Sequence, residues 1–120
     1  MKSEQEVIQW AAERGLLTPD NAKSQLLKSF EEMGEVARAV LKNNHEDLVD
    51  GLGDVLVTLI ILAAQHDITL ETCLQVAYDD IKDRKGVLLD GVFIKDTDPR
   101  FDGAMAVIAA RGIRLQDNQK

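Results

Sequence analysis

Two acidic segments of the sequence carry carboxylates at spacings that could hold a metal ion. In the stretch SFEEMGEVARAV, residues 29–40, Glu32 and Glu35 would lie about 60° apart around a helix and about 4.5 Å apart along it, so both can reach one point. Glu31 is one turn from Glu35 and flanks the same surface. Facing carboxylates repel and are costly to desolvate, so the pattern predicts a hard divalent cation. Mg²⁺ prefers such oxygen ligands and leaves coordination positions open for substrate phosphates.

The second acidic segment lies within residues 45–66. Asp47, Asp50 and Asp54 recur there at i, i+3 and i+7, which places them on one stripe of a helix. Asp54 directly precedes an apolar run, residues 55–64, and such an acid needs a compensating partner. The alternative interpretation is a solvated polar face, since a negative charge at Asp47 is favoured by the helix dipole in any case.

Helical periodicity and capping signals predict four helices that position these acids. The second helix carries the first acidic segment, and the third, apolar on nearly every face in its second half, carries the other. The fourth is expected to bury a face that includes Leu74 and Tyr78. Short loops imply an all-α four-helix bundle. A capping box at Ser3 and Glu6 predicts the first helix over about 3–14, and an N-cap and N1 proline at Thr18-Pro19 predict the start of the second, which the Asn43-Asn44 pair stops. Asn44 is expected to cap the third helix over about 45–66. Thr69 is expected to cap the fourth, with Gly86 as its terminator.

The pattern changes after residue 86. Asp90-Gly91 lies between two short runs of β-forming residues and predicts a tight C-terminal hairpin. A short helix is predicted over residues 104–111. We therefore expect one domain over residues 1–95 and a C-terminal extension over residues 96–120, which ends in a mobile polar tail.

Composition restricts the partners of the chain. It has 120 residues, a net charge of −7 and a pI near 4.7, so it is expected to repel the phosphate backbone of nucleic acids. The longest apolar run is about half of a bilayer span, and no membrane role is expected. One cysteine and the lack of a basic-then-apolar leader favour the cytoplasm. Because four short helices cannot cover so apolar a third helix, we expect the chain to form an oligomer with itself.

Four segments together resemble a known family. They are EEMGE (31–35), LGDVL (52–56), AYDDIKDRKG (77–86) and LDGVFIK (89–95). The combination resembles the MazG-like, all-α nucleoside triphosphate pyrophosphohydrolases, including small phage proteins, whose pattern is EExxE, a spacer, then ExxD. The resemblance covers about residues 5–95. It implies a helical fold, a homodimer or homotetramer, and hydrolysis of a nucleoside triphosphate to a monophosphate and pyrophosphate with Mg²⁺, or alternatively Mn²⁺, as cofactor.

The resemblance also implies roles for the acidic residues. On matching positions, Glu32, Glu35 and Asp54 would be metal ligands, and Glu31 would order the attacking water or a second ion. The glutamate expected three residues before Asp54 is Gly51, so one ligand is missing. Asp50 lies about 100° further round the helix, and either Asp50 or water would have to fill the gap.

The two glycines of the third helix, Gly51 and Gly53, carry different expectations. Gly53 matches the family and is expected to permit close helix packing. Gly51 has no such reason in the sequence, and each glycine costs about 1 kcal/mol relative to alanine in a helix. Gly51 is therefore consistent with a weakened or lost activity, a different metal preference or a deliberate substitution.

Substrate contacts are predicted from both ends of the chain. Lys82, Arg84 and Lys85 match the basic cluster expected to hold the triphosphate, although cations in the last turn of a helix are favoured by its dipole without any ligand. Asp79 stands where relatives commonly have asparagine, and it would either compensate for the lost charge or face solvent. The remaining candidates are Trp10, which would stack on a base or belong to the core, and Lys28, which would contact substrate or pair with Glu32 one turn away.

The favoured function is therefore Mg²⁺-dependent pyrophosphohydrolysis of canonical or damaged (d)NTPs, a role in the nucleotide pool. The alternative, supported by Gly51, is a catalytically impaired relative that binds nucleotide, metal or another protein. An acidic mimic of nucleic acid is less favoured, because the carboxylates cluster in two helical stripes.

Overall fold

The structure is a computed structural model that describes residues 1–115, so the predicted mobile tail lies mostly outside the described residues. Those residues form helices and one small antiparallel sheet, and the predicted all-α class is confirmed. The chain divides into two compact units, Met1–Val76 and a second that starts at Ala77. The elements are α1 (Lys2–Glu13), a 3₁₀ turn (Pro19–Asn21), α2 (Ala22–Leu41), α3 (His45–Gln65), α4 (Leu70–Ile81), β1 (Gly86–Leu89), β2 (Val92–Lys95) and α5 (Phe101–Ala110).

Local side-chain caps explain where α3 and α4 begin. The backbone N–H of Asp47 donates to Oδ1 of Asn44 at 3.0 Å, and Nδ2 of Asn44 donates to Oδ2 of Asp47 at 2.9 Å. Thr69 accepts at Oγ1 from the backbone N–H of Thr72 at 3.1 Å. The backbone N–H groups of Asp47 and Thr72 have no partner inside their helices, and these side chains satisfy them, so both predicted caps are confirmed.

The predicted capping box at Ser3 is wrong. Ser3 lies inside α1, whose N-cap is Met1, and no side chain caps that end. The carboxylate that does cap a helix is Glu4, which is only 1 % exposed. It accepts the backbone N–H groups of Leu70 at 2.8 Å and Glu71 at 3.3 Å, so it closes the start of α4 from a distant part of the chain. Burying Glu4 is possible because these N–H groups satisfy it.

Helix α3 packs mainly against α2 and also contacts α1. The buried side of α2 includes Val36 and Ala39, and the facing side of α3 includes Gly51, Val55 and Thr58. Gln25 adds a polar tie, because its Nε2 donates to the carbonyl oxygen of Thr58 at 3.0 Å. The two acidic segments are therefore held on neighbouring helices.

The predicted core face of α4 is wrong for this chain by itself. None of the residues of α4 is buried, and the side chain of Leu74 is 64 % exposed. The same holds for part of α2, where Leu27 and Phe30 are 63 % and 66 % exposed. The helical periodicity is present, but within one chain it has nothing to pack against. These apolar faces remain open surface in the first unit and along α4.

The second unit is built on the predicted hairpin, which is confirmed. Strands β1 and β2 pair with Leu89 opposite Val92, so Asp90 and Gly91 form a two-residue turn with φ of 50° and 79°. Positive φ at both positions is what a type I′ turn requires, and Asp-Gly adopts it readily. The core of this unit comprises Val87, Ile94, Ala104 and Ile108, with partly buried Leu89, Phe101, Met105 and Leu115 around it.

Gly86 does not terminate α4, so that prediction is wrong. Helix α4 ends at Ile81, and Gly86 is the first residue of β1, paired with Lys95. A Cβ atom at this position would collide with the carbonyl oxygen of Ile94, so only glycine allows the close approach of the strands.

Helix α5 begins at Phe101, three residues before the predicted start. Asp98 helps to set this start, since its Oδ1 accepts the backbone N–H of Arg100 at 2.8 Å. The hydrogen bonds from the Arg100 side chain and backbone lower the pKa of Asp98 to about 2. The compact units divide between residues 76 and 77, and the domain boundary after residue 95 stays a prediction. Within the described part of the chain, no helix combines the length and apolar character needed to cross a lipid bilayer.

Candidate metal and phosphate site between α2 and α3

The connection between α2 and α3 sets the geometry of the candidate site. Only three residues, 42–44, join the helices, so α3 runs back along α2. Gly51 of α3 has Val36 as its nearest neighbour on α2, so these two residues lie at the same height along the two helices. Counting about 1.5 Å per residue in opposite directions from this contact places Asp54 level with residue 33. Along the helix axis, Asp54 is therefore about 1.5 Å from the level of Glu32 and about 3 Å from that of Glu35.

Gly51, and not Gly53, is the glycine that permits close packing. A Cβ on Gly51 would lie 3.1 Å from Cγ2 of Val36 and 3.7 Å from its backbone N and Cα atoms. Gly53 is exposed, and a Cβ there would meet nothing within 4 Å. The prediction for Gly53 is wrong, and the structure supplies the reason for Gly51 that the sequence lacked. The residue that replaces the expected glutamate is a helix-packing residue.

An acidic cleft of about 180 Å³ opens beside this contact. Two sets of residues line the cleft, one from the α2 side and one from α3. Within each set the residues are spaced at i, i+3, i+4 and i+7, so each set forms one stripe. The middle of each stripe holds a small buried residue, Ala39 on α2 and Gly51 on α3. The lining residues are Glu35, Arg38 and Ala39 from α2, Lys42 directly after it, and Asp47, Asp50, Gly51 and Asp54 from α3.

The cleft brings together three of the predicted acidic residues, Glu35, Asp50 and Asp54. Glu32 is partly buried at the level of Asp54 and is not part of the lining, and Glu31 is exposed. Glu35 is engaged already, because Nη2 of Arg38 donates to its Oε1 at 3.2 Å. The predicted ligands therefore divide into a group inside the cleft and a pair on the adjoining surface of α2.

Two cations and one acid of the cleft were not among the predicted site residues. Asp47 was placed on the acidic stripe of α3, with an N-terminal charge favoured by the helix dipole as the alternative, and its hydrogen bonds with Asn44 agree with the alternative. Arg38 and Lys42 gave a signal that could have been used, since they follow Glu35 at i+3 and i+7 on the same face of α2.

The donor chemistry of the cleft fits a hard divalent cation, since its carboxylates are the oxygen ligands that Mg²⁺ prefers. Among residues 1–115, however, no three His, Cys, Asp or Glu side chains are placed to hold one ion together. In the described structure, one carboxylate oxygen of Glu35 accepts a hydrogen bond from the guanidinium of Arg38. Binding would thus require side chains to reorient on a fixed pair of helices.

The predicted phosphate-binding cluster belongs to the second unit. Nζ of Lys82 lies 3.4 Å from Oδ1 of Asp79, and Nη2 of Arg84 lies 2.8 Å from Oδ2 of Asp80. Lys85 is exposed. These ion pairs are local contacts at i, i+3 and i, i+4. Lys82 and Arg84 lie after α4, which has no basic residue in its last turn, so the predicted last-turn position of these cations is wrong.

The two remaining predicted contacts lie in the first unit. Trp10 is 47 % exposed, so it is not a core residue of this unit, and the guanidinium of Arg14 stacks 4.3 Å from its ring centroid. It lines an open apolar pocket of about 370 Å³ together with Val7 and Val57. Lys28 is exposed on α2 and makes no ion pair with Glu32 in the described structure.

Comparison with known proteins gives a family match over the cleft. The MazG nucleotide pyrophosphohydrolase domain matches residues 21–88, a range that includes α2, α3 and α4. The chain is 37 % identical over 62 residues to an uncharacterized 18.2 kDa protein in the rep-hol intergenic region of Haemophilus phage HP1 (strain HP1c1). That alignment covers 52 % of this chain and 38 % of the phage protein, so the chain matches well under half of that relative's length. No solved structure matches the chain.

Proposed function

Because the chain belongs to the MazG nucleotide pyrophosphohydrolase domain family, we propose that it hydrolyses (d)NTPs to the (d)NMP and pyrophosphate. The observation that carries this proposal is the acidic cleft, in which Glu35 of α2 faces Asp50 and Asp54 of α3. The matched range contains the whole cleft. The role would be in the nucleotide pool, and the compartment would be the cytoplasm.

In this proposal the residues of the cleft hold Mg²⁺, or alternatively Mn²⁺. The ligands are Glu35 and Asp54 in the cleft and Glu32 on the adjoining surface of α2, and their levels along the helices span about 4.5 Å. Held by these residues, a cation would supply charge neutralisation of the triphosphate and activation of a water for in-line attack on phosphorus. Glu31, exposed beside Glu35 on α2, orders that water or a second ion.

Asp50 takes over the charge that Gly51 lacks. It lines the cleft one turn from Asp54, so it faces the same space even though it cannot occupy the position of a side chain at residue 51. Gly51 keeps α3 close to α2, and this closeness places Asp50 and Asp54 opposite Glu35. Replacing the glutamate by glycine therefore shifts the acidic set instead of removing it.

Substrate recognition involves the candidates outside the cleft. Trp10 offers an exposed indole face near an apolar pocket, which suits stacking on a nucleobase. Lys28 is exposed on the same helix as Glu32, and Lys82, Arg84, Lys85 and Asp79 form the charged end of α4 and the residues after it. Their roles in binding the nucleotide are part of the proposal.

We also propose that the chain acts as a homodimer or homotetramer. Leu27 and Phe30 of α2 and Leu74 of α4 are each more than 60 % exposed, an arrangement that is costly for helices in water. A second copy supplies a surface of the same apolar character, and closed symmetric association buries both copies at once.

A catalytically impaired protein that binds nucleotide or metal is the second candidate. It is favoured by the ion pair of Arg38 with Glu35, and by Gly51, which removes one carboxylate. Such a protein would keep the cleft and bind Mg²⁺ with nucleotide, but it would release no pyrophosphate.

Pyrophosphate release separates the two candidates. Purified protein is incubated with a panel of NTPs and dNTPs and Mg²⁺ or Mn²⁺, and the products are measured by phosphate detection after pyrophosphatase treatment. We expect monophosphate and pyrophosphate in equal amounts, and loss of both in Asp54→Asn. Glu46→Gln is the matched control, because Glu46 is an exposed acid of α3 outside the cleft. Absence of pyrophosphate with every nucleotide and both metals would exclude the hydrolase.

A further inference from the structure

Two basic side chains, Arg38 and Lys42, line the acidic cleft alongside four carboxylates. They come from the end of α2, at i+3 and i+7 from Glu35, so all three face the same space. With the carboxylates ionised, the formal charge of the lining is −2, because the two cations offset two of the four acids. A site that serves only to bind cations gains nothing from this offset, since each added positive charge weakens cation binding.

The local contacts of α2 explain the location of these cations only in part. Basic residues in the last turn of a helix are stabilised by the dipole, and Arg38 pairs with Glu35 on its own helix. The helix dipole and an ion pair within the helix would stabilise a basic residue equally well on the exposed side of α2. Neither effect requires Arg38 and Lys42 to line the cleft.

The chemistry of the two side chains suits a phosphate chain. Arg offers a planar fork of donors that matches phosphate oxygens in two places, and Lys offers a compact positive charge. The guanidinium of Arg38 is already committed to an anionic oxygen at 3.2 Å, so it can exchange one such partner for another. Lys82 and Arg84 are likewise paired with carboxylates, Asp79 and Asp80, but they lie in the other unit.

We propose that Arg38 and Lys42 form the anion-binding side of the cleft and contact the phosphate chain of the substrate. The inference rests on the proposed function for the identity of that substrate, a nucleoside triphosphate. Arg38 has two roles in turn. It holds the Glu35 carboxylate before the cation and substrate bind, and it binds phosphate oxygens once Glu35 serves as a metal ligand.

A binding experiment tests this without turnover. Isothermal titration calorimetry measures the affinity of the protein for inorganic tripolyphosphate in the presence of Mg²⁺, and in a separate titration the affinity for Mg²⁺ alone. We expect Arg38→Gln and Lys42→Gln each to weaken tripolyphosphate binding by about tenfold or more, the loss typical of a charge-assisted contact. Mg²⁺ alone should bind Arg38→Gln at least as tightly as the wild type, because Glu35 loses a competing cation.

Conservative and distant variants act as controls. Lys42→Arg keeps the charge and should retain most of the affinity. Lys23→Gln removes a cation from the opposite end of α2, roughly 28 Å from Lys42 along the helix, and should bind as the wild type does. Unchanged tripolyphosphate binding in both cleft variants, or no binding by the wild type, overturns the proposal. A loss in only one variant overturns the assignment of the other residue.

Turnover distinguishes this inference from the proposed hydrolysis. If the wild type binds Mg²⁺ with tripolyphosphate through Arg38 and Lys42 but cleaves no nucleotide, the inference stands and the hydrolase does not. If the wild type releases pyrophosphate and both variants keep the KM for the nucleotide, the hydrolase stands and the inference is overturned. A rise in KM of about tenfold with a smaller change in kcat is the expected result.

Discussion

A Cβ atom on Gly51 would lie 3.1 Å from Cγ2 of Val36, so α3 packs closely against α2 at this pair. The glycine that departs from the family pattern is thus part of the packing that forms the acidic cleft. Gly53, two residues further on, has open space around its Cα. The two glycines of one helix therefore differ in what an added methyl group would do.

Alanine at the two positions should separate these effects. Gly53→Ala adds a methyl group in open space and should stabilise the fold by up to about 1 kcal/mol through helix propensity. Gly51→Ala gains the same propensity but crowds Val36, so we expect a lower melting temperature than in Gly53→Ala. Adding Val36→Ala should reduce that difference. Thermal unfolding followed by circular dichroism measures it, and equal stabilisation by both alanines would contradict the close contact.

The missing glutamate can be restored only if the contact is relieved. Gly51→Glu alone should fold poorly, because its Cβ crowds Val36 in a buried position. In the double variant Gly51→Glu/Val36→Ala, we expect Mg²⁺ to bind about tenfold more tightly than in Val36→Ala, since a carboxylate is added to the site. Calorimetric titration of the two proteins gives the comparison. Equal affinities would mean that position 51 does not reach the cation.

Metal binding should stabilise the fold through the cleft. At a Mg²⁺ concentration of about 100 times its dissociation constant, the unfolding free energy should rise by about 2.7 kcal/mol. Asp54→Asn should abolish this rise and Glu35→Gln should reduce it, whereas Glu46→Gln should behave as the wild type because Glu46 lies outside the cleft. Differential scanning calorimetry with and without Mg²⁺ is the measurement. A melting temperature that does not change when Mg²⁺ or Mn²⁺ is added would argue against any metal at this site.

Features decided by neighbouring residues could be predicted from the sequence. Asn44 and Thr69 cap helices through contacts three residues away, and Asp90-Gly91 forms its turn with its own backbone angles. The spacing that aligns Asp50 with Asp54 is also a local property of one helix. These predictions needed no knowledge of which helix packs on which.

Features decided by distant partners could not be predicted in the same way. Glu4 accepts the backbone N–H of Leu70, which is 66 positions away in the sequence, so no pattern of neighbouring residues indicates its role as a cap. From the sequence alone, Gly51 shows only the cost of a glycine in a helix. Its benefit is close packing against Val36, which lies on another helix. The face of α4 that includes Leu74 has a helical apolar pattern, but the pattern states only that the face is apolar and does not state what covers it.

We expect the buried carboxylate of Glu4 to contribute to the free energy of unfolding, although the residue lies near the start of the sequence. Glu4→Ala leaves the N–H groups of Leu70 and Glu71 without their acceptor, at a cost of about 1–3 kcal/mol. Glu4→Gln keeps one acceptor oxygen and should cost less. Gln5→Ala, at an exposed neighbouring position, is the control. Urea unfolding gives the differences, and a Glu4→Ala protein as stable as the control would show that the cap contributes nothing.

The exposed apolar face of α2 should control self-association. Phe30 and Leu27 lie at i and i−3 on this helix and are 66 % and 63 % exposed, so a charge at either position would be costly in an apolar interface. We expect the wild type to sediment as a dimer or tetramer, and Phe30→Glu or Leu27→Glu to shift it toward monomer by at least about tenfold in dissociation constant. Ser24→Glu adds the same charge to an exposed polar position of α2 and should leave the assembly intact. Analytical ultracentrifugation over a range of concentrations measures all four proteins. A wild type that stays monomeric throughout, or variants that assemble as it does, would show that these residues face solvent in the working protein.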